Sequence, residues 1–230
     1  MFCAAFCAAA PSNVSFVDYD TRMLLAAARK CDRNAIEALL DDGGSVNQRE
    51  IDEARPRKDG ATPLHVVVQQ SNSELVELLL ARGADTTLVD ANGCTALHYA
   101  AVLEDAEIAC MLLASKADAT SLDKAGENPL HYAARSGRLQ QCQSLLELSL
   151  SSNMLDVQSK GKGDTPLILA VCWGFSEIAH LLKEAGADTT KTTRNGWNAE
   201  RWAGWAAKRS RVKRARHTLE DDCQVSNSDL

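Results

Sequence analysis

Three histidines, His65, His98 and His131, recur at intervals of 33 residues. An imidazole can ligate a metal, move a proton or hold a hydrogen bond. Units that recur at this period as packed helices lie about 10 Å apart, whereas zinc holds its ligands within about 2.3 Å. The row therefore reads as hydrogen bonding between neighbouring turns. Cys94 and His98 are four residues apart and could clamp a metal, but no further cysteine or histidine lies close to them in sequence. Asp90, Asn92 and Gly93 begin like a calcium loop but lack the remaining carboxylates and the terminal glutamate. Gly161-Lys162-Gly163 is an isolated pair of glycines without the strand and helix of a phosphate-binding fingerprint. The chain has no Gly-x-Ser-x-Gly, no His-Glu-x-x-His and no Gly-Lys-Ser/Thr loop. No convergent acid, base and nucleophile can be assembled, so a non-enzymatic protein without cofactor or metal is expected.

These side chains sit in a larger pattern. DGATPLHVVV from Asp59, NGCTALHYAA from Asn92, AGENPLHYAA from Ala125 and KGDTPLILAV from Lys162 align with one another. Their glycines fall at 60, 93, 126 and 163, and a fifth falls at 196. Each segment is followed by a second apolar block such as ELVELLLARGAD. Thr62, Thr95, Asn128 and Thr165 are suited to cap a helix. Pro63, Pro129 and Pro166 follow at the first helical position, where the missing N–H costs nothing. Gly83 and Gly186 stand where a left-handed stop is expected. One such helix pair cannot cover its own apolar face, and stacked neighbours can.

The pattern resembles the ankyrin repeat, from about Leu24 to Ala206. The resemblance implies an all-α, ankyrin-repeat α-solenoid of stacked antiparallel helix pairs with β-hairpin fingers. Five repeats are expected, at about 21–57, 58–90, 91–123, 124–160 and 161–193, with a partial C-terminal cap at 194–207. A flexible leader (1–20) and a basic then acidic tail (208–230) flank this 21–207 domain. Extra residues fall in NQREIDEARPRKDG after the first repeat and in SLSSNMLDVQSKGK after the fourth. Lys116 replaces the usual glycine and Ile168 the usual histidine. Trp197, Trp202 and Trp205 are expected to shield the open end of the stack.

The totals agree with such an architecture. Of 230 residues 45% are hydrophobic and only 5% aromatic, so the core must be aliphatic, and the net charge of −6 gives no general attraction for nucleic acid. Eight cysteines without a Cys-x-x-Cys pair read as reduced, mostly buried thiols of an intracellular chain. The apolar N-terminal run lacks the positive charge of a secretory signal and the length of a membrane span. The expectation is a monomeric cytoplasmic protein that binds another protein, with neither nucleic acid nor membrane as partner.

Family members make contact through the concave face. By position this implies the first-helix residues Gln69, Gln70, Val102, Leu103, Arg135, Ser136, Cys172 and Trp173. It also implies the finger residues Lys58, Asp59, Asn92, Lys124, Glu127 and Lys162, with Ala61, Ala91, Cys94 and Asp164 beside them. The role expected is that of adaptor, inhibitor or assembly chaperone. One alternative is a regulatory or substrate-recruiting subunit of an enzyme complex such as a ubiquitin ligase or kinase. A second is a nuclear cofactor that uses the basic run Lys208, Arg209, Arg211, Lys213, Arg214 and Arg216, which also fits an import signal.

Overall fold

The computed structural model describes residues 16–49, 60–148, 152–205 and 208. The chain divides into two compact units between Asp118 and Ala119. The first holds α1 (Phe16–Arg29), α2 (Arg33–Asp41), α3 (Pro63–Gln69), α4 (Ser73–Ala81), α5 (Ala96–Ala100) and α6 (Glu107–Ala114). The second holds α7 (Pro129–Ser136), α8 (Leu139–Leu148), α9 (Pro166–Trp173), α10 (Ser176–Glu184) and a final helix, α11, over 199–205. This is the all-α, ankyrin-repeat fold class that the repeated motif implies.

The first helices form because their starts are fixed twice over. Thr62 and Thr95 hold extended backbone at the N-caps of α3 and α5. Asn128 and Thr165 cap α7 and α9 with side-chain oxygens that accept from the N–H groups of His131 and Ile168. Proline at the first position of α3, α7 and α9 adds a preset φ. The apolar positions then turn inward. Leu64, Val67, Val68, Leu97, Leu130 and Leu167 are buried, as are Leu75, Leu79, Leu112, Leu145 and Leu182 of the second helices. In the first unit α1 packs on α2 and α3, and α3 on α4 and α5; in the second α7 packs on α8 and α9, and α9 on α10.

The fingers are hairpins of minimal form. In each, one backbone bond closes a tight turn: Asp90 N–H donates to Cys94 O, Asp123 to Glu127 O, Ser159 to Asp164 O and Thr193 to Trp197 O. Among the described residues no strand develops beyond the isolated antiparallel bridge between Thr192 and Asn198.

Several local expectations need correction. Helix α1 starts at Phe16, inside the stretch expected to be a flexible leader. No proline or glycine interrupts the sequence from there to Arg29, so the helix propagates backwards from its packed half. Helix α5 stops at Ala100, which leaves Val102 and Leu103 in a turn rather than on the helix. Cys31, Ser71, Gly137 and Gly174 take the left-handed conformation at the equivalent turn in other repeats, but Glu104 does not. The chain instead tightens through Val102 N–H to Tyr99 O and Leu103 N–H to Ala100 O. The extra residues after α8 include a 3-10 turn, Ser152–Met154, and Met154 and Leu155 are buried. The elongated finger expected after the first repeat lies mostly outside the described residues.

Lys116 sits where Gly43, Gly83 and Gly186 end three of the other second helices, α2, α4 and α10, and it holds φ of 64°. Its N–H bonds Leu113 O and the next N–H bonds Leu112 O, the same closure that Gly83 and Ala84 make. A β-carbon in this conformation costs about 1 kcal/mol. Lys116→Gly should therefore raise the unfolding free energy by about 1 kcal/mol with an unchanged denaturant slope. A lower denaturation midpoint would show that the lysine stem contributes more than the strain removes.

Candidate partner-binding surface

The row of histidines is structural, and the geometry shows how. His65 lies in the third position of α3. Its Nδ1 accepts from the backbone N–H of Thr62 at 3.2 Å and lies 2.8 Å from the Thr62 hydroxyl. That leaves Nε2 to donate to Cys94 O, in the next finger, at 3.0 Å. His98 repeats the inner half of this arrangement with Thr95. His131 accepts from Asn128 N–H, and its Nε2 reaches Asp164 O at 3.2 Å. The Asn128 side chain also donates to Met154 O, which anchors the 3-10 turn. All three rings are fully buried. In His65 these roles demand the neutral imidazole with hydrogen on Nε2, whereas His131 Nδ1 also lies 2.6 Å from the Asn128 Oδ1. Burial lowers the His65 pKa and pushes that of His131 down to about 4, against the opposing pull of the Asp164 and Val157 carbonyls.

The finger carboxylates are likewise turned inward. Asp90 accepts from the N–H groups of Asn92 and Cys94, both at 2.8 Å, and from the Tyr99 hydroxyl at 2.6 Å. Burial opposes its ionisation, but the Tyr99 hydroxyl and the two N–H groups outweigh that and hold its pKa below the usual range. Asp123 accepts from Glu127 N–H and from the Tyr132 hydroxyl, both at 2.8 Å. The apparent calcium loop is thus a self-satisfied turn. The signal that could have revealed it is the spacing of nine residues between each aspartate and its tyrosine. Among the described residues no group of three or more metal-ligating side chains gathers.

The implied contact residues fall into two patches, one in each unit. In the first unit Gln69 and Asn92 are exposed, at the end of α3 and at a finger tip. Gln70 is exposed but engaged, since its amide donates to Arg29 O at 2.8 Å and accepts from the Cys31 thiol at 2.7 Å. Val102 and Leu103 are half-buried, not fully exposed, because the turn after α5 draws them toward the core. Ala61 and Ala91 are half-buried, and Cys94 is buried beneath its finger. Lys58 and Asp59 lie outside the described residues.

In the second unit Arg135 and Glu127 are brought together. One guanidinium nitrogen sits 2.9 and 2.7 Å from the two carboxylate oxygens, and the group stacks 4.8 Å from the Tyr132 ring centre. Ser136 is half-buried, whereas Lys124, Lys162, Cys172 and Trp173 are exposed. Trp173 ends α9 and is 61% exposed, the most exposed large apolar side chain among the described residues. Asp164 is half-buried, and burial raises its pKa. The cysteines do not all behave as expected. Cys94 and Cys142 are buried, the latter with a thiol pushed up to about 12 by burial, but Cys31 and Cys172 are exposed.

Three indoles gather at the end of the second unit. Trp202 lies 4.8 Å from Trp197 and 5.7 Å from Trp205 between ring centres, and Arg201 covers Trp197. Lys208 is helical and exposed, while Arg209, Arg211, Lys213, Arg214 and Arg216 lie outside the described residues. No helix of the described residues is long and apolar enough to cross a membrane.

The chain matches the family described as ankyrin repeats (3 copies) over residues 23–123 and 104–193, and it belongs to that family. A human relative, the 2-5A-dependent ribonuclease, is 38% identical over 73 residues. That stretch is 32% of this chain and 9% of the relative, and it covers only the relative's repeats. The chain therefore spans under a tenth of that protein's length. Ankyrin repeats form a protein–protein interaction module, and the fold is generally non-catalytic.

The buried rings give this module a defined acid sensitivity. An unfolded histidine titrates near 6.5 and folded His131 near 4. Above pH 6.5 both forms are neutral and the stabilisation is complete. As the pH falls from 6.5 to 4 the unfolded chain takes up a proton that the folded chain refuses, so stability declines by about 1.4 kcal/mol per unit. Denaturant titrations should show His131→Gln about 1–3 kcal/mol less stable at pH 7.5, with a shallower decline across this window. Parallel pH profiles for the two proteins would contradict the neutral bridge.

Proposed function

We propose that the chain binds a partner protein through the finger tips and first-helix ends of its units, as an adaptor, inhibitor or assembly chaperone. The observation that carries this is Trp173. A ring so exposed at the end of a buried helix gives nothing to the core, and tryptophan is enriched among binding hot spots. Lys124, Lys162 and Cys172 are exposed in the same unit, and Gln69, Asn92 and half-buried Leu103 form the smaller patch of the first unit. The paired Arg135 and Glu127 serve as a fixed platform rather than as free charges. Hydrogen-bonded fingers on buried helix pairs also make the surface largely preformed, so little ordering entropy is lost on association.

A regulatory or substrate-recruiting subunit of an enzyme complex would use the same surface and needs a second docking motif. The ribonuclease activity of the human relative is not carried over, because the match covers 9% of that protein. We place the chain in the cytoplasm, with nuclear import through the run from Lys208 to Arg216.

In affinity capture, the double variant Leu103→Glu with Trp173→Ala should retain partner proteins at least tenfold less than the native chain, at equal helical content. Unchanged retention removes this placement of the surface. Deleting residues 208–216 should shift a fluorescently tagged chain out of the nucleus, and an unaltered distribution removes the import role.

A further inference from the structure

The second unit carries an arrangement of charge that the net −6 of the chain conceals. Its three fingers are stitched through their backbones at the tips. Lys160 N–H donates to Ala125 O at 2.7 Å, and Arg194 N–H donates to Lys162 O at 2.8 Å. The glycine of each earlier finger makes room for the basic residue of the next. A β-carbon on Gly126 would meet Lys160 Cγ at 2.9 Å, and one on Gly163 would meet the Arg194 nitrogen at 3.2 Å. The fingers therefore bring Lys124, Lys160, Lys162 and Arg194 to adjoining tips. All four are exposed, and none forms an ion pair with a described residue.

The acids of the same fingers are withdrawn from the surface. Asp123 is buried against Tyr132, Glu127 is held by Arg135, and Asp164 is half-buried. What faces outward is a ridge of positive charge on an acidic protein. Successive fingers lie about 10 Å apart, the spacing of packed helices. That is comparable to the screening length at physiological salt, so neighbouring charges reinforce one another.

We propose that this ridge is a docking strip for an extended acidic segment of a partner protein. The proposal rests on the interaction-module reading and adds the chemistry of the partner. An extended chain rises about 3.3 Å per residue, so one finger spacing corresponds to about three residues. The matching segment carries Asp or Glu at every third position. A nucleic acid fits less well. The finger residues 122–127 and 159–164 include no aromatic side chain on which bases could stack, the indole that closes the third finger, Trp197, is already packed against Trp202 and Arg201, and the net charge repels a long polyanion.

The test uses the full chain and a fluorescein-labelled twelve-residue peptide with Glu at every third position, followed by fluorescence anisotropy in 50 and 200 mM NaCl. The Glu peptide should bind at least tenfold more tightly than its Gln counterpart, and affinity should fall with salt. The combined Lys124→Glu, Lys160→Glu, Lys162→Glu and Arg194→Glu variant should bind at least tenfold more weakly, with unchanged circular dichroism. The milder pair Lys160→Gln and Lys162→Gln should fall between the two.

Equal affinity for the Glu and Gln peptides, or undiminished binding by the charge-reversed chain, overturns the proposal. Tighter binding of a single-stranded oligonucleotide with the peptide's charge overturns it in favour of nucleic acid. A tenfold gain on deleting residues 217–230 overturns it in favour of the chain's own Glu220, Asp221 and Asp222. Partner capture that is lost in Leu103→Glu but unaffected by the charge reversal leaves the interaction module standing and removes only the ridge.

Discussion

A neutral imidazole buried between two successive repeats is the constraint on which the other features depend. In His65 and His131 one ring nitrogen accepts the N–H at the start of its own helix, and the other donates to a carbonyl in the following finger. The ring thus settles two things together: where the helix begins and how far away the next finger lies. A protonated His65 ring would have to turn one of its donors toward the Thr62 N–H, which breaks one half of the bridge. Low polarity around the ring strengthens both bonds and makes their loss costly. The frame therefore requires histidine in its uncharged form, which is why burial dominates its titration.

With the fingers set by this bridge, their side chains sort by charge. Aspartates at the base of the turn reach tyrosines nine residues on and so fold under their own finger, as Asp90 does to Tyr99 and Asp123 to Tyr132. Glu127 is drawn back by Arg135. Lysines have longer stems and no acceptor so placed, so they remain in solvent at the tip. A chain can then be acidic in sum and basic along one edge. A net charge speaks to solubility, whereas recognition follows where the unpaired charges stand.

Much of this was legible in the sequence because it depends on short separations. Thr62 or Asn128 before Pro-Leu-His specifies a helix start within three residues, and Gly83 specifies a stop within two. Those signals gave the helix pairs and the structural role of the histidines. What stayed hidden involves partners far apart or a break in the repeat. Gln70 lies by position on the contact face, yet its amide ties down Arg29 O, 41 residues earlier. The early end of α5, where Glu104 lacks the left-handed conformation that Cys31, Ser71, Gly137 and Gly174 take, is something no periodicity reveals. The burial of Met154 likewise depends on the Asn128 amide, 26 residues away, a bond that only the folded register creates.

The fifth repeat shows how far the histidine constraint can be relaxed. Ile168 is buried where an imidazole would sit and offers no hydrogen bond. Thr165 still caps α9 alone, through its hydroxyl and the Ile168 N–H at 3.3 Å. The tie to the next finger rests on the main chain, through Arg194 N–H to Lys162 O, as Lys160 N–H to Ala125 O does beside His131, and on Gln158, whose amide donates to Thr192 O at 2.7 Å. The two tasks of the imidazole are thus separable: capping needs only a hydroxyl, and stacking of fingers needs only close backbones. Close backbones in turn favour glycine at positions 126 and 163, where a β-carbon would press on Lys160 and Arg194 of the next finger. The backbone ladder that remains here is the same one that seats Lys160 and Arg194 beside the glycines of the preceding fingers, so the basic edge continues past the repeat that lacks the histidine.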